Sequence, residues 1–165
     1  MMMKIVVLML TICAAAAAQK TNGYIYFGGG GIASSLKTGR FVHFGGGLDV
    51  GVGKGMAGNI EGGALYGAVY EDAGFGLFSP GVSYHPLQWR NPKVDPFISG
   101  GYTLMGNSHR SGSLFYFGGG IKYWTSERKA LLVEFRDHVG DHAVVLTAAQ
   151  GSVHLWEIRV GMAFR

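Results

Sequence analysis

The sequence predicts an all-β protein, an eight-stranded antiparallel up-and-down transmembrane β-barrel that is apolar outside, with a polar, Gly-rich and filled interior. Segments of about ten residues alternate between apolar and polar side chains, which is the mark of a sheet with two different faces. Glycine accounts for 29 of 165 residues, and only 15% of the residues are charged. Mean hydropathy is positive. This composition excludes a charged disordered chain and a coiled coil.

The first 18 residues have the features of a cleaved secretory signal. Lys4 supplies the positive charge, an apolar stretch runs from Ile5 to Ala18, and small alanines precede Gln19. We therefore expect residues 19–165 to form a single outer-membrane β-barrel domain. That domain lacks cysteine, since Cys13 lies in the signal, so a disulfide framework is excluded. An exported, apolar chain without a long apolar run indicates β structure in an outer membrane.

Eight strands are predicted, and each is long enough to cross a membrane, which takes about 9–11 tilted residues. An even strand number puts both ends of the barrel chain on one side of the membrane. Turn formers and charged residues occupy the seven connections. The predicted strands span about 22–33, 41–52, 58–70, 75–85, 95–105, 113–124, 129–138 and 153–164.

In the first half of the chain, the second strand alternates most clearly. It places Val42 and Phe44 on one face, and His43 and Asp49 on the other. The first and third strands are ambiguous, because Gly and Ala occupy both faces. The fourth strand shows less contrast and contains Pro80, which cannot donate a ladder hydrogen bond. We therefore predict a bulge or kink at Pro80.

In the second half of the chain, too, the strands differ in how clearly apolar and polar residues alternate. The fifth strand is ambiguous, whereas the sixth and seventh each separate large apolar residues from polar or glycine residues. The eighth strand is the clearest, because it sets Trp156, Ile158 and Val160 against Glu157 and Arg159. Alternation of this kind is what a strand with one apolar and one polar face requires.

Three features indicate that the polar faces point inward. Glycine is frequent on them, which suits the crowded interior of a small barrel. Aromatic residues recur near strand ends, as interfacial girdles do. Charges on the polar faces are few and of both signs. A soluble, exported β-sandwich, with its apolar faces packed together, remains the alternative fold.

Seven ionisable residues fall on the predicted inward faces, and three histidines, His43, His85 and His138, join them. Buried charges are costly unless they are paired, so we interpret the seven as a structural ion-pair network. A narrow or gated ion pathway is the alternative. Across neighbouring antiparallel strands, Arg136 could meet Glu157, and Glu134 could meet Arg159. The seven residues are Asp49, Glu61, Lys122, Glu134, Arg136, Glu157 and Arg159.

Two motifs could carry catalytic or metal chemistry. Ser152 and His154 share an outward face, but Glu157 falls on the opposite face and cannot complete a Ser–His–acid set. The second motif is a metal-capable cluster at the start of the longest loop, whose four-residue histidine spacing suits a helix better than a strand. We therefore expect no catalytic residues, metal or cofactor. The cluster consists of Asp137, His138, Asp141 and His142.

The glycine runs at 28–31, 45–47 and 118–120 invite comparison with phosphate-binding loops. A dinucleotide loop is followed by a helix, whereas each of these runs is followed by more strand. We therefore attribute them to tight curvature of the sheet.

The last strand resembles the β-signal that closes outer-membrane barrels, through Arg159, Gly161 and the penultimate Phe164. Together with the signal peptide and the strand count, this motif makes the chain similar to the small OmpA/OmpX-like outer-membrane β-barrel superfamily. The resemblance implies insertion by the barrel assembly machinery and an interior ion-pair network. Some relatives of this size deacylate lipid A through a His-x-Ser pair, but Ser152-x-His154 has the reverse order.

The sequence therefore predicts a non-enzymatic protein of the bacterial cell outer membrane, with a structural or surface-interaction role and a largely closed interior. A narrow pore and a lipid-modifying enzyme are the alternatives. The expected partners are outer-membrane lipid, the assembly machinery during biogenesis and an extracellular partner at loop 139–152. The small positive charge left after signal removal gives no reason to expect nucleic acid.

Overall fold

The structure, a computed structural model, describes residues 21–34, 38–68, 72–87, 93–108, 111–141 and 152–165. The predicted signal peptide lies outside these residues, as does His142. Among the described residues, no helix is long and apolar enough to cross a membrane. The strands are β1 (Thr21–Ser34), β2 (Thr38–Gly53), β3 (Met56–Ala68), β4 (Asp72–Tyr84), β5 (Val94–Gly106), β6 (Ser111–Trp124), β7 (Lys129–Asp141) and β8 (Ser152–Phe164).

These strands form one closed barrel in which each strand pairs with the next along the chain, and β8 closes onto β1. All pairings are antiparallel, so the predicted up-and-down barrel is confirmed. The predicted boundaries are close but short at several ends. The second strand begins at Thr38 rather than Phe41, because Thr38 still pairs with Ala33. The seventh continues to Asp141, so the predicted loop 139–152 is shorter than expected.

The two faces of the sheet have the predicted polarity. On β8, Ile158 and Val160 are more than half exposed on the outside, whereas Glu157 and Arg159 are fully buried inside. Arg40, Lys129 and Asp137 are outward-facing charged residues of the described strands, and each lies near a strand end. A soluble sandwich would place the charges outside and the apolar residues inside, so this alternative fold is wrong.

Glycine on the inner wall makes room for large interior side chains. Gly45 and Gly47 on β2 lie opposite Tyr26 and Tyr24 on β1. A Cβ atom at Gly45 would come within 2.5 Å of the Tyr26 hydroxyl, and one at Gly47 within 2.6 Å of the Tyr24 hydroxyl. Tyrosine rings lying against glycine backbone therefore explain the 45–47 run, as sheet curvature around crowded residues requires.

Pro80 interrupts the hydrogen-bond ladder between β4 and β5 without shifting the register of the two strands. Pairing stops after Phe78↔Leu104 and resumes at Gly81↔Gly101, with equal numbers of residues between on both strands. Of the predicted bulge or kink, the bulge is wrong, because no extra residue is inserted on either strand. Inside the barrel, the Ser79 hydroxyl lies 2.8 Å from the Thr103 hydroxyl and bridges the gap with a side-chain hydrogen bond.

The barrel interior is layered. We call the end with the Gly53–Met56 turn and the β8 terminus the turn end, and the opposite end the loop end. An apolar cluster fills the loop end, and an aromatic-rich cluster fills the turn end. The loop-end cluster is Ile32, Phe41, Leu65, Phe75, Leu77, Met105, Leu114, Val153 and Leu155. The turn-end cluster is Tyr24, Tyr26, Phe97, Trp124, Ala130, Leu132 and Ala163.

Candidate functional site

The barrel interior holds the charged residues that the sequence singled out, in a middle layer and in a second group toward the turn end. All seven predicted ionisable residues are at least 95% buried, as are His43, His85 and His138. Asp95 is also buried and was missed, because glycine on both faces of β5 hides its alternation. The shared inward direction of these side chains follows from their positions along each strand, since residues two apart lie on the same face.

Glu61 on β3 is the centre of the network. Both of its oxygens accept hydrogen bonds from Arg159 Nη1, at 2.8 and 2.9 Å. Arg136 Nη1 donates to the same carboxylate at 3.2 Å. The hydroxyls of Tyr26 and Tyr24 donate at 2.8 and 3.1 Å. One carboxylate therefore joins residues from four strands, β1, β3, β7 and β8.

Glu157 forms a second centre beside it. It accepts from Arg159 Nε at 2.7 Å, from His43 Nδ1 at 3.0 Å and from His138 Nε2 at 3.1 Å. An ionised carboxylate only accepts, so each of these nitrogens must carry its proton. Because a single carboxylate orients two histidines and a guanidinium, Glu157 fixes the relative positions of β2, β7 and β8.

His43 links the two carboxylate centres. Its Nδ1 lies 3.0 Å from Glu157 Oε2 and 3.3 Å from Arg159 Nη2. Its Nε2 lies 3.0 Å from the Tyr26 hydroxyl, which donates to Glu61. The middle layer thus places His43, Arg136 and Arg159 among three carboxylates, which are Glu61, Glu134 and Glu157.

The cross-strand pairs expected between β7 and β8 occur in register, but not all as ion pairs. Glu134 lies opposite Arg159, and Arg136 lies opposite Glu157. Arg159 Nη1 is 3.7 Å from Glu134, whereas Arg136 Nη2 donates to Glu134 on its own strand at 2.8 Å. The long side chains therefore reach along and across the barrel rather than only to the facing residue.

A second polar group lies toward the turn end. Lys122 forms an ion pair with Asp49, and this pair is almost fully buried. His85 Nδ1 lies 2.9 Å from Asp95, and His85 Nε2 lies 3.0 Å from the Ser83 hydroxyl. The described ionisable side chains of the interior are thus tied to partners of opposite charge or to hydrogen-bonding groups.

The interior leaves little space for solutes. A cavity of about 20 Å³ lies between the middle layer and the turn end, lined in part by Lys122, Glu134 and Arg136. That volume is close to what one water molecule needs. The loop-end cluster closes the other side with apolar side chains. The arrangement fits a structural network better than an ion path.

The two motifs that could carry metal or catalytic chemistry lie near the loop end, at the end of β7 and the start of β8. Asp137 and His138, two of the four residues of the metal-capable cluster, lie on opposite sides of the sheet. In the described part of the chain, no group of three His, Cys, Asp or Glu side chains could hold a metal ion. Ser152 and His154 are exposed, and Glu157 is buried on the other face, as expected. The acid that His154 contacts is Asp137, 3.0 Å from its Nδ1, on the neighbouring strand.

The three residues by which the last strand resembles a β-signal have defined places in the barrel. Arg159 points inward and holds the network, while Gly161 packs against the β1 backbone, with its Cβ position 2.9 Å from Tyr26 Cα. Phe164 pairs with Gly23 on β1 and Lys129 on β7. Arg165 stacks on the Trp124 ring, 3.6 Å from its centroid.

Comparison with known proteins supports the fold. No family model matches the sequence, and no curated protein sequence matches it significantly. The N-terminal β-barrel domain of Pseudomonas aeruginosa OprF is similar in structure, with a TM-score of 0.55, 17% identity, and coverage of 88% of this chain and 98% of that one. Neisserial surface protein A has a TM-score of 0.57 and 15% identity, and the match covers 87% of this chain and 96% of that one. A de novo designed transmembrane β-barrel reaches 0.53 at 19% identity, covering 87% and 92%.

Proposed function

We propose that this chain is a non-enzymatic barrel of the bacterial outer membrane, with a structural or surface-interaction role. The fold is that of small eight-stranded outer-membrane barrels. The observation that carries the proposal is the inverted polarity of a closed sheet. Large apolar side chains such as Phe27, Phe115 and Ile98 are 62–68% exposed around the outside, while paired charges fill the inside. Lipid is the solvent that such a surface requires.

The role inside the membrane follows from the filled interior. A barrel whose axis is occupied by paired charges and an apolar cluster acts through its surfaces rather than through its lumen. The loop-end connections, including the one between β7 and β8 that the sequence placed at 139–152, would then meet an extracellular partner. Outer-membrane lipid and, during biogenesis, the barrel assembly machinery are the other partners.

The first experiment is membrane fractionation followed by gel electrophoresis in SDS with and without boiling. A closed barrel keeps its hydrogen-bonded fold in cold SDS and migrates differently after boiling. We expect a heat-shifted band in the outer-membrane fraction. A band released with the periplasmic proteins, without a heat shift, would contradict the proposal.

A charge-insertion pair tests which face meets lipid. Ile158 lies in the middle of β8 and is 53% exposed, whereas Met162 lies near its end and is 38% exposed. In lipid, Ile158→Arg should destabilise the barrel by about 2–4 kcal/mol, and Met162→Arg by about 0–1 kcal/mol. Urea unfolding in vesicles measures both. Equal small costs at the two positions would show that the outer face is in water.

A second candidate is an ester hydrolase acting on lipids at the outer surface, because Ser152, His154 and Asp137 supply all three residue types there. Under the first proposal, Ser152→Ala leaves the acylation pattern of lipid A unchanged. A pattern that differs between wild-type cells and Ser152→Ala cells would favour the second candidate.

A further inference from the structure

A groove lies on the outer surface of the barrel near the loop end, where β1 runs between β8 and β2. Its volume is about 550 Å³, which is within the range of roughly 300–1,000 Å³ that small-molecule sites have. Trp156 of β8 lines one side, and Thr38 and Arg40 of β2 line the other. We call this surface the β1 groove.

The β1 groove is open because β1 has glycine where its neighbours carry large side chains. Gly31 lies in register with both Trp156 and Arg40. A Cβ atom at Gly31 would come within 2.7 Å of the Trp156 indole, so the ring lies over this residue. At Gly29, two residues further from the loop end, the nearest atom to a Cβ would be the Phe41 carbonyl oxygen, at 3.3 Å. The floor is therefore covered by the indole at Gly31 and open at Gly29.

The β1 groove lies at the edge of the apolar outer surface. After Arg40, the next outward positions of β2 are Val42 and Phe44, which are 45% and 62% exposed. Trp156 is at the same level on β8, and the next outward residue there is the exposed Ile158. A tryptophan and a cation at the edge of an apolar band are typical of the depth at which lipid head groups lie.

Arg40 gives the groove a positive charge that is not neutralised by the residues that the structure describes. None of the ion pairs among those residues includes Arg40. Asp137, which is in register with Trp156 from β7, lies 3.0 Å from His154 Nδ1 instead. Because guanidinium donors match phosphate oxygens in pairs, Arg40 beside the Thr38 hydroxyl is complementary to a phosphate group. The glycine floor and the indole are complementary to hydrocarbon.

We propose that the β1 groove binds one phosphate-bearing lipid of the outer leaflet, of the lipid A class. Arg40 and Thr38 donate hydrogen bonds to the phosphate, and an acyl chain lies along Gly29 against the Trp156 ring. The inference rests on the proposed function, because only a barrel whose loop end faces outward brings the groove to that leaflet. It assigns one lipid a fixed place and a chemical class, beyond the general contact of the outer surface with lipid.

The test titrates the folded wild-type barrel in detergent micelles with bisphosphorylated lipid A and counts bound lipids by native mass spectrometry. We expect one lipid A per barrel, and at least about 10-fold weaker binding of lipid A from which the phosphates have been removed. Inorganic phosphate in excess should leave the lipid bound, because the acyl chain supplies part of the contact. Equal binding with and without the lipid phosphates, or displacement by inorganic phosphate, would overturn the proposal, and neither measurement needs a variant to fold.

Variants locate the site on the barrel. Arg40→Gln removes the charge, and Gly29→Leu fills the floor without changing charge, so each should weaken lipid A binding at least about 10-fold. Lys129→Gln is the matched control, because Lys129 is also an exposed outward cation but lies near the turn end. It should bind lipid A as the wild type does. An equal loss in Arg40→Gln and Lys129→Gln would show a general charge effect and overturn the assignment to the groove.

The heat-shifted gel band separates this inference from the proposed function. If the band is present in the outer-membrane fraction but phosphorylated and dephosphorylated lipid A bind equally, the lipid site is wrong and the membrane barrel stands. If the wild-type protein shows no heat shift and is released with the periplasmic proteins, both are wrong.

Discussion

At the scale of single residues, the barrel concentrates its electrostatics on a few carboxylates. Glu61 alone accepts hydrogen bonds from two arginines and two tyrosines. Buried charges of this kind are stabilised only by each other, since water is excluded. A change at Glu61 should therefore have a cost far larger than that of a surface ion pair.

We expect Glu61→Gln to destabilise the barrel by about 3–5 kcal/mol, because Arg136 and Arg159 would then share too few negative charges in a dry interior. Urea unfolding followed by tryptophan fluorescence in vesicles measures this. Glu127→Gln, at an exposed turn position, is the control and should change stability by less than about 0.5 kcal/mol. If the two variants unfolded at the same urea concentration, the network would not carry stability.

Single residues also show which features of the interior could be predicted from the sequence and which could not. Strand parity was enough to place Glu134, Arg136, Glu157 and Arg159 inside. It did not identify Glu61 as their centre, because that requires the distances between β3, β7 and β8 across the lumen. Tyr24 lies near a strand end, where aromatic residues suggested an outward girdle, yet its side chain is buried inside and donates to Glu61.

At the scale of elements, a side-chain hydrogen bond spans a gap in the backbone ladder between β4 and β5, and we call this gap the β4–β5 seam. Pro80 interrupts the ladder, and the Ser79–Thr103 hydrogen bond crosses the gap. Thr103 also contacts His138 Nδ1 at 3.2 Å, which links the seam to Glu157. The sequence predicted that Pro80 disturbs the ladder. It could not distinguish a bulge from a gap, because the two differ only in the number of partner-strand residues that lie opposite.

Thr103→Val should therefore loosen this seam. The substitution keeps the shape but leaves the buried Ser79 hydroxyl and His138 Nδ1 without their partner, at a cost of about 1–3 kcal/mol. Amide hydrogen exchange should rise along β4 and β5 more than along β7 and β8. Thr38→Val, at an exposed position on β2, is the control. Uniform exchange rates in all strands would mean that the hydroxyl bridge is dispensable.

At the scale of the whole molecule, the apolar and charged layers that follow each other along the interior indicate a closed barrel rather than a channel. The loop-end cluster is apolar, and the charges below it are neutralised. We expect no reproducible conductance steps in planar bilayers, either for the wild-type protein or for Glu134→Gln. Steps that changed with substitution at Glu134 or Arg159 would instead support a narrow pore.

The whole-molecule prediction from sequence was the most successful, because period-two alternation repeats in every clear strand and the glycine-rich strands fit the same count. Strand number, direction and polarity were all confirmed. Strand ends were less accurate, since residues such as Thr38 and Gly39 look like loop residues in sequence yet still pair in the ladder.

The closure of β8 onto β1 also bears on chain connectivity. Gly23 and Phe164 are register partners at the turn end, so the first and last strands finish side by side. A short flexible linker could join them, and new termini could be opened in the tight turn, where Gly53, Lys54 and Gly55 all have positive φ. Such a circular permutant would retain every interior contact, and the order in which the strands are synthesised could then be varied independently of the barrel they form.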